Sequence, residues 1–519
     1  MPDLRNSLNV LGITLGAALS LHLLVQRVIK SSKPPLPPSP RAYPFLGHLL
    51  SMPTSNEHLG YIELAKQLNT NIISLTALGQ TIIVLNSVEE ATKLLQSRSG
   101  IYSGRPSPPM LTERSLMDAA GLVSILGYND RWKKCRRIMH PWLTKQAIES
   151  FHHSQQHQAR LLLERLTLLN ANSLSSEVLY HEMFTALSGT LLRSIYGYQI
   201  CGEDDPLLRE AIQLVHHLSE AAMPTNFLVN IFPSLRYIPT WFPGAGWKQV
   251  AREWREQKER TMLGFFNKSK QGVALGNYEP SIMASSLADA KNLELSPGEI
   301  DDYLSNIGIT LYTVNLKSGA ETTSNVFLIF AIAMMLHPNV QQKAQSEIDS
   351  IIGDSRLPVM EDRHQLPYTN CLIQEVLRWC PVVPLGVPHS TTTDDIYQGF
   401  RIPKGAIVFA NIWAMSRNED TYKTPEEFDP DRFVDPSVPL CPVFGFGRRE
   451  CPGNHFAESS VFIIIASLLA VFNIRMPKNA SGEDIVPELT CKNTIIYHPD
   501  EFQVRLEPRP TRTHLVRIE

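Results

Sequence analysis

No excess of charge of either sign marks this chain. Its 519 residues carry 48 lysines and arginines against 51 aspartates and glutamates, a formal net charge of -3, so no broad basic field exists to displace the counterions of a nucleic acid. Cysteine is sparse as well: there are seven, with no C-x-x-C pair. That excludes a disulfide-built scaffold and a zinc ribbon, and it suits a reducing compartment. Neither an internal repeat nor a G-x-G-x-x-G dinucleotide signature is present, which excludes a solenoid and a built-in nicotinamide or flavin unit. What is there, 43% hydrophobic and 19% charged residues, is the balance of an ordinary folded body and excludes wholesale disorder.

One long apolar run opens the chain. Residues 6 to 26 hold no charged side chain when His22 is neutral, and about 20 apolar residues suffice to cross a bilayer core. The run exceeds the apolar part of a typical cleaved secretory signal and no small-x-small site follows it, so a membrane anchor over residues 1–30 is expected. Arg27, Lys30 and Lys33 follow the span whereas Asp3 and Arg5 precede it, and the positive-inside rule then leaves the rest of the chain in the cytosol. Pro34-Pro35-Leu36-Pro37-Pro38-Ser39-Pro40 reads as a stiff polyproline spacer. Residues 31–47 are therefore expected to form a hinge ahead of one large domain over 48–519.

Short strand-like runs at 72–75 and 81–85, with Gly79-Gln80 between them, predict a hairpin. Most of the remainder is predicted helical. The apolar stretch 227–247 is broken by Pro233, Pro239 and Pro243; it reads equally as an interfacial membrane contact or a buried loop. Ser296-Pro297-Gly298-Glu299 is a capping box that predicts a long helix ending where His337 meets Pro338. At its centre Ser318-Gly319-Ala320-Glu321-Thr322-Thr323 interrupts an apolar pattern. A glycine there costs about 1 kcal/mol against alanine, which points to a need for close approach.

The chemistry centres on Phe444-Gly445-Phe446-Gly447-Arg448-Arg449-Glu450-Cys451-Pro452-Gly453, followed by an apolar helix-like run. Backbone N–H groups of a glycine-rich turn can stabilise a cysteine thiolate, the form that ligates metal, and glycines let such a turn press against a flat ring. The other six cysteines read as small buried hydrophobes. Phe444, Gly447, Arg449, Cys451 and Gly453 stand at the spacing of the cysteine-loop signature of the cytochrome P450 monooxygenases, and the chain resembles that family. Three further motifs carry the resemblance from the anchor onward. These are Glu375-Val376-Leu377-Arg378, Phe428-Asp429-Pro430-Asp431-Arg432-Phe433 and Trp132-Lys133-Lys134-Cys135-Arg136.

The resemblance implies a mainly α fold with a smaller β region, haem b lying between the long central helix and the cysteine-bearing loop, and Cys451 as axial thiolate. A thiolate donates electron density to iron and favours O–O cleavage over reversible oxygen binding. Trp132, Arg136, His389 and Arg449 are implied at the haem propionates, with Phe444, Gly447 and Gly453 shaping the cofactor loop, and Glu375, Arg378 and Arg432 as a structural network. Glu321 and Thr322 would relay protons, and Gly319 would leave room for dioxygen. Two departures stand out: the segment 313–318, which brings Lys317 near the pocket, is longer than the family's usual spacing, and 434–443 is shorter.

Electrons are implied to come from a separate NADPH-cytochrome reductase, with cytochrome b5 as a second candidate donor, at the endoplasmic reticulum membrane. The wording of motifs such as Trp241-Phe242-Pro243-Gly244-Ala245-Gly246 resembles fungal members of secondary metabolism. The expected substrate is a lipophilic small molecule, met by 104–128, by the central helix near Leu311 and Ala320, and by 382–387. The competing readings are a haem-thiolate isomerase or dehydratase that needs no reductase, and a non-catalytic haem sensor.

Overall fold

The described chain is mainly helical, and its most apolar stretches fold as helices. The computed structural model describes residues 34–516 apart from 45, 170–172, 201–204, 224–225, 316–319 and 491–495. The expected anchor over 1–30 lies outside these residues, as do Lys317, Ser318 and Gly319. The longer helices are α1 (Glu57–Gln67), α2 (Asp130–Met139), α3 (His152–Leu169), α4 (Ser176–Tyr196), α5 (Pro206–Ala222) and α6 (Trp247–Leu275). They continue with α7 (Pro297–Asn315), α8 (Glu321–Leu336), α9 (Pro338–Ile352), α10 (Pro367–Trp379) and α11 (Asn454–Val471).

Local chemistry sets the helix ends. The Asn129 side chain accepts from the Trp132 amide and starts α2; Ser175 does the same for Val178 at the start of α4, which stops at Gly197 in the left-handed region. The predicted cap of α7 is there in part: the Glu299 carboxylate accepts from the Ser296 amide at 2.9 Å. Pro338 ends α8, and the chain turns by 106° into α9.

Helices apolar on every side belong inside a protein. In α8 each residue from Thr322 to Met335 is buried, and α11 is enclosed from Ser459 to Val471. Among the described residues α11 alone is long and apolar enough to cross a membrane, yet 78% of it is buried in the body. It packs beside α3, α8, α9 and α10 as a core helix.

The β region is small and lies to one side. β1 (Ile72–Ala77) pairs antiparallel with β2 (Gln80–Leu85), β2 pairs in parallel with β7 (Ile407–Ala410), and β7 pairs with β4 (His389–Ser390). The predicted hairpin is present, one residue out of the expected place. Leu78 and Gly79, with φ of 49° and 88°, make the two-residue turn, and Gln80 already pairs with Ala77. A second sheet takes the order β3 (Leu174–Ser175), β9 (Gln503–Pro508), β8 (Phe472–Arg475), and β5 (Asp395–Tyr397) with β6 (Phe400–Ile402) forms a separate hairpin.

The proline stretch lies against these strands. Arg401 N–H donates to Pro35 O at 2.7 Å, while Ser74 donates to Pro37 O through its hydroxyl at 2.6 Å and to Pro38 O through its amide at 2.9 Å. His48 closes the strap, its Nε2 on Pro40 O and its Nδ1 accepting from the Thr76 amide.

Candidate functional site

Between α8 and the loop that leads into α11 lies a cavity whose wall changes character from side to side. From above, α7 contributes Thr310 and Leu311 and α8 contributes Thr322, Thr323 and Val326. From below come Phe444, Gly445, Cys451, Pro452 and Gly453. Trp132, Arg136 and Met139 line one side because they recur every three or four residues along a single face of α2. Val382, Val383 and Val387, on the connection after α10, line another side and make it apolar.

The cysteine loop is built by its own backbone. Cys451 N–H donates to Phe444 O at 2.9 Å, and Gly445 and Gly447 take φ of 82° and 59° to close the turn. At Gly447 a Cβ would stand 2.4 Å from Leu95 O. Gly447 therefore lets the loop touch the 92–97 segment, and it is not among the cavity residues. Burial pushes the Cys451 thiol up, whereas the Gly453 N–H and the charge of Arg136 favour the thiolate.

The rim of the cavity carries Arg105, Arg136 and Arg449, while the acids that line the cavity, Glu450 and Glu458, form no ion pair with them among the described residues. Arg449 donates through Nε to Ser103 O at 2.8 Å and through Nη2 to Leu126 O at 2.6 Å, and its guanidinium lies 4.3 Å from the Trp132 ring centre. Arg105 donates to Val387 O at 2.8 Å and Pro388 O at 2.6 Å, and its buried Nε has no partner. Burial, with Arg105 and Arg136 adding to it, brings Arg449 down to about 8, and burial brings Arg105 down to about 10. Arg136 is lowered in the same way. Among the described residues none of the three has a carboxylate at ion-pair distance. Buried cations met only by carbonyls are costly, and a ligand bearing carboxylates on this side relieves that cost. The two propionates of a haem are such groups, and Cys451 stands ready as the ligand for its iron.

His389, on β4, joins this rim as a neutral ring and not as a fourth cation. Its Nδ1 lies 2.8 Å from Tyr102 O, and a carbonyl only accepts, so Nδ1 carries the proton. Burial, then the charge of Arg105, pushes the ring down to about 3 and holds it neutral. Glu321 also differs from expectation, for it is half-buried and absent from the cavity wall. Its negative charge adds to the burial that raises the Tyr180 phenol on α4. Thr322 does line the cavity, with Thr323 beside it.

Glu375, Arg378 and Arg432 come together away from the cavity. Arg378 binds Glu375 through Nε at 2.7 Å and Nη2 at 2.8 Å, Arg432 Nε reaches the same carboxylate at 3.2 Å, and Glu375 and Arg378 are 0% exposed. The spare donors of Arg378 satisfy Ser416 O and Pro425 O.

Sequence reasoning assigns no individual role to Arg105, Ser124, Thr310 or Thr323, although Arg105 and Ser124 fall within the expected substrate-contacting stretch 104–128; all four line the cavity. Thr323 adjoins a residue already singled out. Arg105 had no such signal: it lies in a loop with no motif spacing, and only the pairing of Gly104 with Ser390 beside β4 brings it to the rim.

Comparison with known proteins agrees with this geometry. The family model described as Cytochrome P450 matches residues 37–506. The chain is 36% identical over 512 residues to cytochrome P450 monooxygenase 208 of Postia placenta, covering 96% of each chain. It is 36% identical to cytochrome P450 monooxygenase 98 of the same fungus, over 98% of this chain and 96% of that one. To cytochrome P450 monooxygenase COX2 of Coprinopsis cinerea it is 34% identical, again over 98% and 96%.

Proposed function

Because the chain belongs to the cytochrome P450 family, we propose that it inserts one oxygen atom from dioxygen into a neutral lipophilic molecule of fungal secondary metabolism, with electrons from NADPH through a separate reductase. The observation that carries this reading is a single cavity with Cys451 on one face, unpaired arginines at its edge and the hydroxyls of Thr322 and Thr323 on the opposite face.

Haem held there supplies the dioxygen-activating iron. The protein's own part is to hold and screen it. Cys451 would ligate the iron, the Gly453 N–H would steady the sulfur, and Arg105, Arg136 and Arg449 would bind the propionates, with Trp132 packed against the guanidinium of Arg449. The Thr322 hydroxyl, which both donates and accepts, holds a proton over the distal side. Glu321, next to Thr322 but outside the cavity wall, is the acid that would exchange protons with that hydroxyl through intervening groups. The distal lining is apolar and uncharged around Leu311, Val326, Val382 and Val383, which suits a neutral ligand.

Reductase docking is supported by α2, whose inner face meets the cavity while Arg137 is exposed on the next face toward an acidic partner, beside Lys133, which pairs with Asp130 at 2.9 Å. Cytochrome b5 is a second donor of the same charge type. Residence at the endoplasmic reticulum membrane is supported by the apolar run over 6–26 and by a patch of exposed apolar side chains. That patch comprises Leu228, Phe232, Tyr237, Trp241 and Phe242.

The carbon monoxide difference spectrum of the reduced protein tests the reading. A thiolate-shifted Soret band is expected, and it should vanish in Cys451→Ala; an unchanged band in that variant overturns the assignment. In the reconstituted enzyme, Thr322→Ala should divert reducing equivalents from product to hydrogen peroxide, with NADPH consumption kept largely intact.

A further inference from the structure

Behind the distal wall a lysine is buried with no carboxylate at ion-pair distance among the described residues. Lys258, on α6, is 6% exposed, and lysine is almost never enclosed without a partner. Its ammonium donates to Met117 O at 3.2 Å and to Asp118 O. These are consecutive carbonyls of a tight turn in which Asp118 holds a φ of 50°. Neither accepts another backbone bond outside helices and strands among the described residues. One helical turn earlier Arg255 donates to Arg114 O at 3.0 Å and lies 3.8 Å from the Asp118 carboxylate. Carbonyls across 114–118 therefore converge on one face of α6. Further along the same loop Val123 and Ser124 line the cavity, and the Val123 amide donates to Thr310 Oγ1 at 3.0 Å.

We infer that Lys258 is a positioning residue for the distal wall: by pinning the 113–118 turn to α6 it holds Val123 and Ser124 over the cavity and sets the size of molecule admitted. An ammonium has three donors and no acceptor, so it fits converging carbonyls that would otherwise be buried without partners. The loop is thus fastened at both ends, to α6 by Lys258 and to α7 by Thr310. Releasing Lys258 leaves the α6 side to Arg255, which holds Arg114 O at the more exposed end of the turn, while Thr310 and Arg449, the latter on Val123 O at 3.4 Å, keep the cavity side. What the wall encloses rests on the haem reading above; the pinning itself does not.

The test uses full-length holoenzyme with two substitutions. Lys258→Met keeps the length of the stem and removes the donors, and Lys258→Arg restores a cationic donor. Imidazole and the bulkier phenylimidazole serve as probes, since both ligate haem iron and shift its Soret band without turnover. Lys258→Met should raise amide exchange over 113–124 by about tenfold, the effect expected for losing a charged hydrogen bond. It should also shift the ratio of dissociation constants about threefold in favour of phenylimidazole, a modest change in fit, and Lys258→Arg should recover most of both effects. Unchanged exchange in the loop, or an unchanged ratio, overturns the inference. So does a rise in exchange spread evenly over the whole chain, which would make Lys258 a general stabilising residue. Absence of the thiolate band in the unsubstituted protein would sink the haem reading by itself, and the exchange measurement still decides whether the lysine pins the loop.

Discussion

Arg105 shows how a single side chain takes its meaning from what it lacks. Its guanidinium is partly buried, its buried Nε is unpartnered, and the neighbouring cations Arg449 and Arg136 are themselves lowered by burial. Replacing it by leucine acts on both sides of the binding equilibrium. The cofactor-free site loses a repulsive charge and becomes easier to maintain, and the loaded site loses a charge-assisted bond worth about 1.5–3 kcal/mol. Both changes weaken retention, so Arg105→Leu should release haem to excess apomyoglobin about ten to a hundred times faster. A transfer rate equal to that of the unsubstituted protein would show that Arg105 does not hold the cofactor.

Among the elements, α10 and α1 make opposite cases. In α10 the charges of Glu375 and Arg378 are buried together and tie the helix to the 424–432 segment through Arg432. Removing one partner strands the other, and Arg378→Met should cost about 3–5 kcal/mol in urea unfolding. The double change Glu375→Gln with Arg378→Met should cost less than the sum of the two singles. In α1 the buried ring is kept uncharged. His58 packs 4.7 Å from Trp413, and burial, with the charge of Arg417, lowers it from 6.5 to about 4. The unfolded chain binds a proton near 6.5 that the folded chain refuses until about 4. Stability therefore falls as pH drops through that window, by up to about 1.4 kcal/mol per pH unit from this group. His58→Phe should flatten the acid limb of the stability curve, measured by urea unfolding between pH 7 and 4. An equally steep limb in the variant would assign the loss to other groups.

The molecule as a whole presents apolar side chains to solvent in one stretch of sequence, where Trp241 is 79% and Tyr237 74% exposed. Isolated exposed apolar residues are ordinary, but a run of them rich in aromatics suits the interfacial zone of a bilayer. Removing residues 1–30 should therefore leave part of the protein on membranes. Adding Trp241→Ser and Phe242→Ser to that truncation should move most of the remainder to the supernatant in vesicle flotation. Retention unaffected by the two serines would locate the second contact elsewhere.

Motif spacing was enough to single out Cys451, Trp132, Arg136, Arg449 and the Glu375 network, because chemistry that needs fixed offsets along one turn or one helix face leaves its pattern in the chain. Apolar continuity likewise marks a helix-like run after the cysteine loop, where α11 stands, and a helix stopping ahead of Pro338, as α8 does, while their burial is seen only in the structure; the strand pattern marks the β1–β2 hairpin, one residue out of place. Only the tertiary structure put Arg105 on the rim, kept His389 neutral, left Glu321 out of the cavity wall and set Lys258 against the loop behind the distal wall. Each of those outcomes depends on contacts between segments far apart in sequence, where burial and neighbouring charge decide what a side chain does. Local residue order carries no record of either.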